Sequence, residues 1–127
     1  MSDIYRIVGH KHQLNLGIKM SFNQYQLLAK RTAKQDSFRA ALTHTAFGLS
    51  GEAGEFADCI KKHLVYGQSL DRENAAEELG DLLWYIALGC ETLGVSMADI
   101  AAQNINKLQA RYPEKYSDFH AIERLDK

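Results

Sequence analysis

The sequence is poor in residues that mark special classes of protein. It has one proline and two cysteines in 127 residues, and no apolar run approaches the ~18 residues that a membrane-spanning helix needs. Cys59 and Cys90 lack the paired Cys/His spacing of a zinc site, so we expect both to be reduced core residues. The N-terminus also lacks the apolar segment of a secretory signal. We therefore expect a cytoplasmic protein without membrane association.

An excess of basic charge is missing as well. Fifteen Lys and Arg residues against sixteen Asp and Glu residues give a formal net charge of -1. This balance excludes the class of proteins that are held on a nucleic-acid polymer mainly by contacts between basic residues and phosphates. What is present is a chain of one domain's length with 46% hydrophobic residues, which is enough for a compact core.

Helical periodicity begins at Ser21, which forms a capping box with Gln24. Apolar spacing, capping residues and the single proline predict four helices: about 22–34, from Phe38 to before Gly67, from Asp71 to Gly94, and from Ser96 to before Pro113. No strand pattern follows residue 20. The fold class is therefore predicted as all-α, a four-helix bundle with its active site built from helices 2, 3 and 4.

Three segments divide the chain. Residues 1–20 are predicted to be an N-terminal arm that is either extended or disordered, residues 21–113 the helical domain, and residues 114–127 a charged tail that adds at best a short turn. His10 and His12 lie in the arm as His-Lys-His, a pattern that fits a basic tail better than a metal site.

Two pairs of carboxylates recur at helical spacing. Glu52 and Glu55 are three residues apart in predicted helix 2, and Glu78 and Asp81 repeat this spacing in predicted helix 3. We call these four residues the acidic quartet. A solvated outer face would show the same spacing, but residues 52–91 hold nine of the sixteen acidic residues and only three basic ones. Four converging carboxylates need cations, and oxygen ligands suit Mg²⁺ or Mn²⁺.

The neighbours of the quartet also favour an interior position. Gly54 and Gly80 each lie inside a carboxylate pair, although glycine in a helix costs about 1 kcal/mol relative to alanine. We therefore expect something to approach closely at both glycines. Leucines flank the second pair, and Tyr85 extends its face. A di-iron site uses Glu-x-x-His on two helices, and neither pair has this histidine.

Predicted helix 4 carries amide, ammonium and guanidinium groups on one face. Asn104, Lys107 and Arg111, which we call the polar stripe, stand at i, i+3 and i+7, with Tyr112 beside their end. Such groups hold phosphate oxygens, the arginine through a bidentate fork. An ordinary solvated face near a helix C-terminus has the same composition.

Taken in order, these motifs resemble the MazG-like members of the all-α nucleoside triphosphate pyrophosphohydrolase superfamily. The resemblance is strongest in the segments GLSGEAGEFADCIKK and EELGDLLWYIALGCETLGV, and it covers roughly residues 21–113. The resemblance implies hydrolysis of a nucleoside triphosphate between its α and β phosphates, with Mg²⁺ as cofactor and Mn²⁺ as a substitute. It also implies a metal-ligand set and a phosphate-contacting set: Glu52, Glu55, Glu78 and Asp81 for the metal, and Lys107 and Arg111, with Asn104 and Tyr112 as looser matches, for the phosphates.

Further roles follow from the chemistry of such a site. Glu55 is our choice for the general base, although Glu52 or Glu78 could serve equally. We also assign Tyr85 and His44 to substrate binding, His44 as a contact to the base, while a lone histidine also suits a core. Trp84 is assigned to packing or to a subunit interface.

The assembly and the substrate are left open by the residues themselves. The apolar surface on every helix, together with the family resemblance, predicts a homodimer or homotetramer. Within the same superfamily, a dUTP-specific or a phosphoribosyl-ATP-specific pyrophosphohydrolase is an alternative. A non-catalytic helical module that binds a nucleotide or a protein is a further alternative from another class.

Overall fold

The computed structural model describes residues 19–127, and this part of the chain is helical without strands. Most of the predicted N-terminal arm, including His10 and His12, lies outside the described residues. Five helices follow one another: α1 (Phe22–Lys30), α2 (Phe38–Leu64), α3 (Arg72–Leu93), α4 (Met97–Arg111) and α5 (Asp118–Glu123). The prediction of an all-α fold is confirmed, and four of the five helices are those that the sequence pattern predicts.

Local capping explains where the helices begin. The side chains of the N-cap residues accept a hydrogen bond from a backbone N–H in the first turn of each helix, which satisfies a donor that the helix itself leaves free. The N-caps are Ser21, Ser37, Asp71, Ser96 and Ser117. Gly94 ends α3 in the left-handed conformation at φ 67, and α4 ends at Arg111, two residues before the proline.

Helix α1 is shorter than predicted. It ends at Lys30, and the next residues form tight turns through hydrogen bonds from Thr32 N to Ala29 O and from Ala33 N to Lys30 O. The Thr32 hydroxyl donates to Ala29 O at 2.9 Å and accepts from Trp84 Nε1 at 2.8 Å. The end of α1 is therefore accompanied by a hydrogen bond from Trp84 of α3. The sequence of residues 31–34 does not predict this contact.

Helix α3 is the centre of the packing, because it contacts α1, α2 and α4. Its buried face joins α1 and the start of α4 in a small core made of Ala29, Ala87, Cys90 and Met97. Both cysteines are buried and free, as predicted. Burial also raises the pKa of the Cys90 thiol, because the thiolate loses its hydration there.

The C-terminal tail has more structure than predicted. Residues 118–123 form α5, and Arg124 follows it with a left-handed φ of 55. The chain then turns back so that the Asp126 carboxylate contacts the Arg111 guanidinium at the end of α4. The sequence shows the charges of this tail, but not which of them become partners.

Membrane-spanning character is absent from every single helix among residues 19–127. Helices α3 and α4 reach the required length and apolar content only when they are taken together, and they are bent by 102° relative to each other.

Candidate active site

Three members of the acidic quartet converge between α2 and α3. One carboxylate oxygen from each of Glu52, Glu78 and Asp81 lies within 4.8 Å of the other two. We call these three residues the carboxylate triad. Glu52 and Glu78 are partly buried, whereas Asp81 is exposed. Three oxygen ligands at such spacing from two rigid helices fit a hard divalent cation, so the residues are suited to holding Mg²⁺ or Mn²⁺.

Glu78 has the most perturbed environment of the triad. Partial burial raises the pKa of its carboxyl group above the usual value, because removal from water disfavours the charged form. The negative charges of Glu52, Asp81 and Glu55 raise this pKa further. A bound cation would reverse both effects, since its positive charge favours the ionised carboxylate.

Glu55 lies apart from the triad although its charge acts on Glu78. Its side chain is exposed, and it does not belong to the group of oxygens within 4.8 Å. The structure thus brings together three of the four predicted ligands. One turn further along α2, Asp58 pairs with Lys61 at 2.9 Å and Lys62 at 2.7 Å, and these hydrogen bonds lower the pKa of Asp58 to about 2.

The two glycines inside the carboxylate pairs do not mark a close approach within the described chain. A Cβ atom on Gly54 or Gly80 would have no neighbour within 4 Å, so our expectation of such an approach is wrong for a single chain. Close packing occurs instead at Gly48 of α2, where a Cβ atom would overlap the ring of Tyr85. The sequence offered no signal that separates Gly48 from the other glycines of α2.

A residue of α1 also reaches this region. Tyr25 packs against the core, and its pKa is raised first by burial and then by the negative charge of Asp81. Sequence reasoning missed Tyr25 because it belongs to the apolar stripe of α1 and has no motif of its own. Its phenol is close enough to Asp81 for that negative charge to act on it.

His44 and Tyr85, both predicted to bind substrate, lie next to each other. Their ring centroids are 5.4 Å apart, and the Tyr85 hydroxyl is 3.4 Å from His44 Nε2. Trp84 completes an aromatic trio with these two residues, since its ring lies 5.0 Å from that of Tyr85. The packing role predicted for Trp84 is confirmed by its contact with the core and its hydrogen bond to Thr32.

The polar stripe of α4 does not join the triad within the described chain. Asn104 and Lys107 are exposed, and no ion pair among residues 19–127 connects the stripe to the quartet. Arg111 is held by Asp126 of the tail, with Nε to Oδ1 at 2.6 Å and Nη2 to Oδ2 at 2.7 Å. Tyr112 lies beside it, with the guanidinium carbon 6.0 Å from the ring centroid.

An all-helical fold with three carboxylates on two facing helices defines an α-helical protein with a candidate divalent-cation site between its helices. Comparison with protein families gives the particular family. The model of the MazG nucleotide pyrophosphohydrolase domain matches residues 41–116, a range that contains the whole quartet and the polar stripe. The chain therefore belongs to the MazG nucleotide pyrophosphohydrolase family, whose members generally depend on a metal.

A curated relative supports this assignment at the level of sequence. The "Gene 37 protein" of Mycobacterium phage L5 is 37% identical over 103 residues, which cover 72% of this chain and 89% of the relative. No solved structure matches the chain.

Proposed function

We propose that the protein hydrolyses nucleoside triphosphates, including deoxynucleoside triphosphates, at the bond between the α and β phosphates, releasing a nucleoside monophosphate and pyrophosphate. The observation that carries the proposal is the carboxylate triad, in a chain of the MazG family. Carboxylates clustered at this distance repel one another, and a divalent cation that also binds phosphate oxygens would relieve this repulsion.

Glu52, Glu78 and Asp81 would hold Mg²⁺, or Mn²⁺ in its place. When bound, the cation supplies positive charge that offsets the charge on the phosphate oxygens and polarises the bond to be broken. Partly buried Glu52 and Glu78 come from two helices that pack along each other, so their separation is fixed by the helix packing rather than by a loop.

Glu55 is the proposed general base. Its exposed carboxylate lies outside the triad and is therefore free to accept a proton from an attacking water, while it remains close enough for its charge to act on Glu78. Phosphoryl transfer depends mostly on positioning and on charge neutralisation, so loss of this base should slow the reaction without abolishing cation binding.

The polar stripe is proposed to bind the leaving pyrophosphate, with Lys107 and Arg111 neutralising its charge and with Asn104 and Tyr112 beside them. Because the stripe does not meet the triad within one chain, we propose that the protein is a homodimer or homotetramer in which α4 of one copy faces the triad of another. The many exposed apolar side chains on its helices support such an assembly.

Tyr85 and His44 of the aromatic trio are proposed to contact the nucleobase. Tyr85 and His44 lie on the same two helices as the triad, about one to two helical turns from it along α3 and α2. Rings in T-shaped contact leave a ring face on which a base can stack. The His44 ring nitrogens add hydrogen-bonding capacity, which gives selectivity among bases.

The test is pyrophosphate release from a panel of ribo- and deoxyribonucleoside triphosphates with Mg²⁺, Mn²⁺ or a chelator. Asp81→Asn removes a triad carboxylate, Glu55→Gln removes the proposed base, and Glu77→Gln is the matched control, because Glu77 is an exposed acid on α3 outside the quartet. We expect metal-dependent release that falls at least about 100-fold in the first two variants and is unchanged in the control.

Other outcomes would redirect the proposal. Release from dUTP alone would narrow the activity to that substrate, and cleavage of phosphoribosyl-ATP alone would move it to that relative of the superfamily. No cleavage of any nucleotide by folded protein that binds Mg²⁺ would contradict the proposal and favour a non-catalytic binding module.

A further inference from the structure

The C-terminal tail ends in an ion pair that is almost closed to solvent. The Asp126 side chain is 1% exposed and the Arg111 side chain is 15% exposed. Both oxygens of the carboxylate are engaged, one by Nε and one by Nη2 of the same guanidinium. Charge-assisted pairs with two parallel hydrogen bonds fix the plane of the guanidinium as well as its position.

This geometry leaves part of the arginine available. A guanidinium has five N–H donors, and Asp126 takes one on Nε and one on Nη2. No hydrogen bond from Nη1 to another described residue is present, and Nη1 is not among the buried unpartnered atoms of residues 19–127. Nη1 therefore keeps some exposure to solvent, where an anion can approach it.

A second arginine also lies near the carboxylate of this pair. Arg124, whose Nε lies 3.7 Å from Asp126 Oδ1, brings a second positive charge to the same carboxylate. Its φ of 55 is unusual for a residue other than glycine. This turn directs the last residues back toward α4, so the carboxylate has a defined place rather than a range of places.

We propose that Asp126 is a positioning residue for the reaction, because its carboxylate holds the Arg111 guanidinium by one edge and leaves the other edge to bind the pyrophosphate part of the substrate. This inference rests on the proposed function of Arg111. Asp126 itself touches no phosphate. Phosphate binding at the free edge needs no break in the buried pair, whereas a model in which phosphate displaces Asp126 would have to leave a buried carboxylate without its partner.

The experiment compares Asp126→Asn, Asp126→Glu and Arg111→Gln with the wild-type full chain. Asp118→Asn is the matched control, since Asp118 is an exposed acid of the same tail whose carboxylate accepts a hydrogen bond from the Tyr116 hydroxyl. We expect Asp126→Asn to lower kcat/KM for pyrophosphate release about tenfold, mainly through KM. Asp126→Glu should recover part of this loss, and the control should match the wild type.

A double variant separates positioning from simple anchoring of the tail. If Asp126 acts through Arg111, adding Asp126→Asn to Arg111→Gln should lower kcat/KM less than twofold further. Circular dichroism and light scattering would confirm that the variants keep their helix content and mass. Unchanged kcat/KM in folded Asp126→Asn would show that the ion pair only fixes the tail to α4. Faster turnover would show that Asp126 keeps Arg111 from binding the substrate. Either result overturns the proposal.

If the proposed function is wrong, the wild-type protein itself will release no pyrophosphate. In that case calorimetric binding of inorganic pyrophosphate, with Mg²⁺ present, tests the positioning role. Weaker binding by both Asp126→Asn and Arg111→Gln would support it without hydrolysis. Equal affinity in Asp126→Asn and the wild type, or no pyrophosphate binding to any variant, would overturn it.

Discussion

Glu78 lies where burial and the charges of three other carboxylates act on one group. Its raised pKa means that the folded protein holds this proton to higher pH than the unfolded chain does. In the absence of metal, stability should therefore fall as pH rises above the ordinary carboxyl value of 4.5. A cation that binds the triad should restore the stability that is lost.

Replacing this carboxylate tests that balance. We expect Glu78→Gln to raise the melting temperature of the metal-free protein at pH 7 by a few degrees, because it removes one of the repelling charges. The gain should shrink as pH falls toward 4.5, where the wild-type side chain takes up its proton. Thermal melts with a chelator and with Mg²⁺ measure both effects.

The control for this measurement is Glu77→Gln on the same helix, which leaves the triad intact. Mg²⁺ should raise the melting temperature of the wild type and of this control, but not that of Glu78→Gln. A Mg²⁺-dependent rise of equal size in all three proteins would place the cation elsewhere.

Gly48 and Gly54 form a second contrast at the residue scale, because both lie inside α2. A methyl group at position 48 would overlap the Tyr85 ring, and we expect Gly48→Ala to lower the free energy of unfolding by about 1–3 kcal/mol. Position 54 has open space within the chain, so Gly54→Ala should raise it by about 0.5–1 kcal/mol through helix propensity. Urea denaturation measures both, and the same sign for both variants would contradict the packing.

The sequence predicts those parts of the site that depend on residue spacing within a single helix. Spacing of three residues predicts which carboxylates share a face within each helix, because helical geometry fixes that face. The spacing predicted all four members of the quartet as ligands, but only three of them converge in the structure, and Glu55 lies outside. Tyr25 and the partner of Arg111 could not be predicted, since both contacts join segments far apart in the chain and no motif marks them.

At the scale of elements, most helix boundaries follow from local chemistry. Every N-cap of the five helices is a serine or an aspartate whose side chain bonds the first turn. The end of α1 was not predictable in this way, because the early turn is accompanied by a hydrogen bond between Thr32 and Trp84 of α3. Helix α5 was missed because a six-residue segment carries too little periodicity to stand out.

The connection between α3 and α4 is tied to α1 by the side chains of Asn23, which accepts from the Ser96 hydroxyl at 2.7 Å, and Gln26. Gln26 donates from Nε2 to Val95 O at 2.9 Å and accepts from Met97 N at 2.8 Å. We expect Gln26→Ala to lower the free energy of unfolding by about 1 kcal/mol, since two backbone groups lose their partner. Urea denaturation measures the change, and Gln103→Ala, at an exposed position of α4, is the control. Equal stability of the two variants would show that the tie contributes nothing.

At the scale of the whole molecule, exposed apolar side chains are numerous for a single chain. Phe47 of α2 is 74% exposed, and Ile105 of α4 is 55% exposed. Such residues on separate helices favour burial against further copies. If assembly brings a stripe to a triad, activity and mass should change together.

Phe47→Asp should shift the protein to a smaller species and lower pyrophosphate release per chain at least about tenfold, because a charge would then lie in the proposed interface. Light scattering coupled to size exclusion, with activity measured on the same fractions, checks both outcomes. Gln35→Asp adds the same charge at an exposed loop position and should change neither. Full activity in a monomeric Phe47→Asp protein would contradict a shared site.

The contact between Trp84 and Tyr85 also means that tryptophan fluorescence can report on this region of the protein. The sequence has a single tryptophan, Trp84. Its indole donates a hydrogen bond to Thr32 and lies against the Tyr85 ring, which packs on Gly48. Emission therefore comes from one known position, between α1 and the two helices that carry the triad. Titrations with nucleotide or cation can be followed by this signal in the unlabelled protein, and a change in wavelength reports on that position alone.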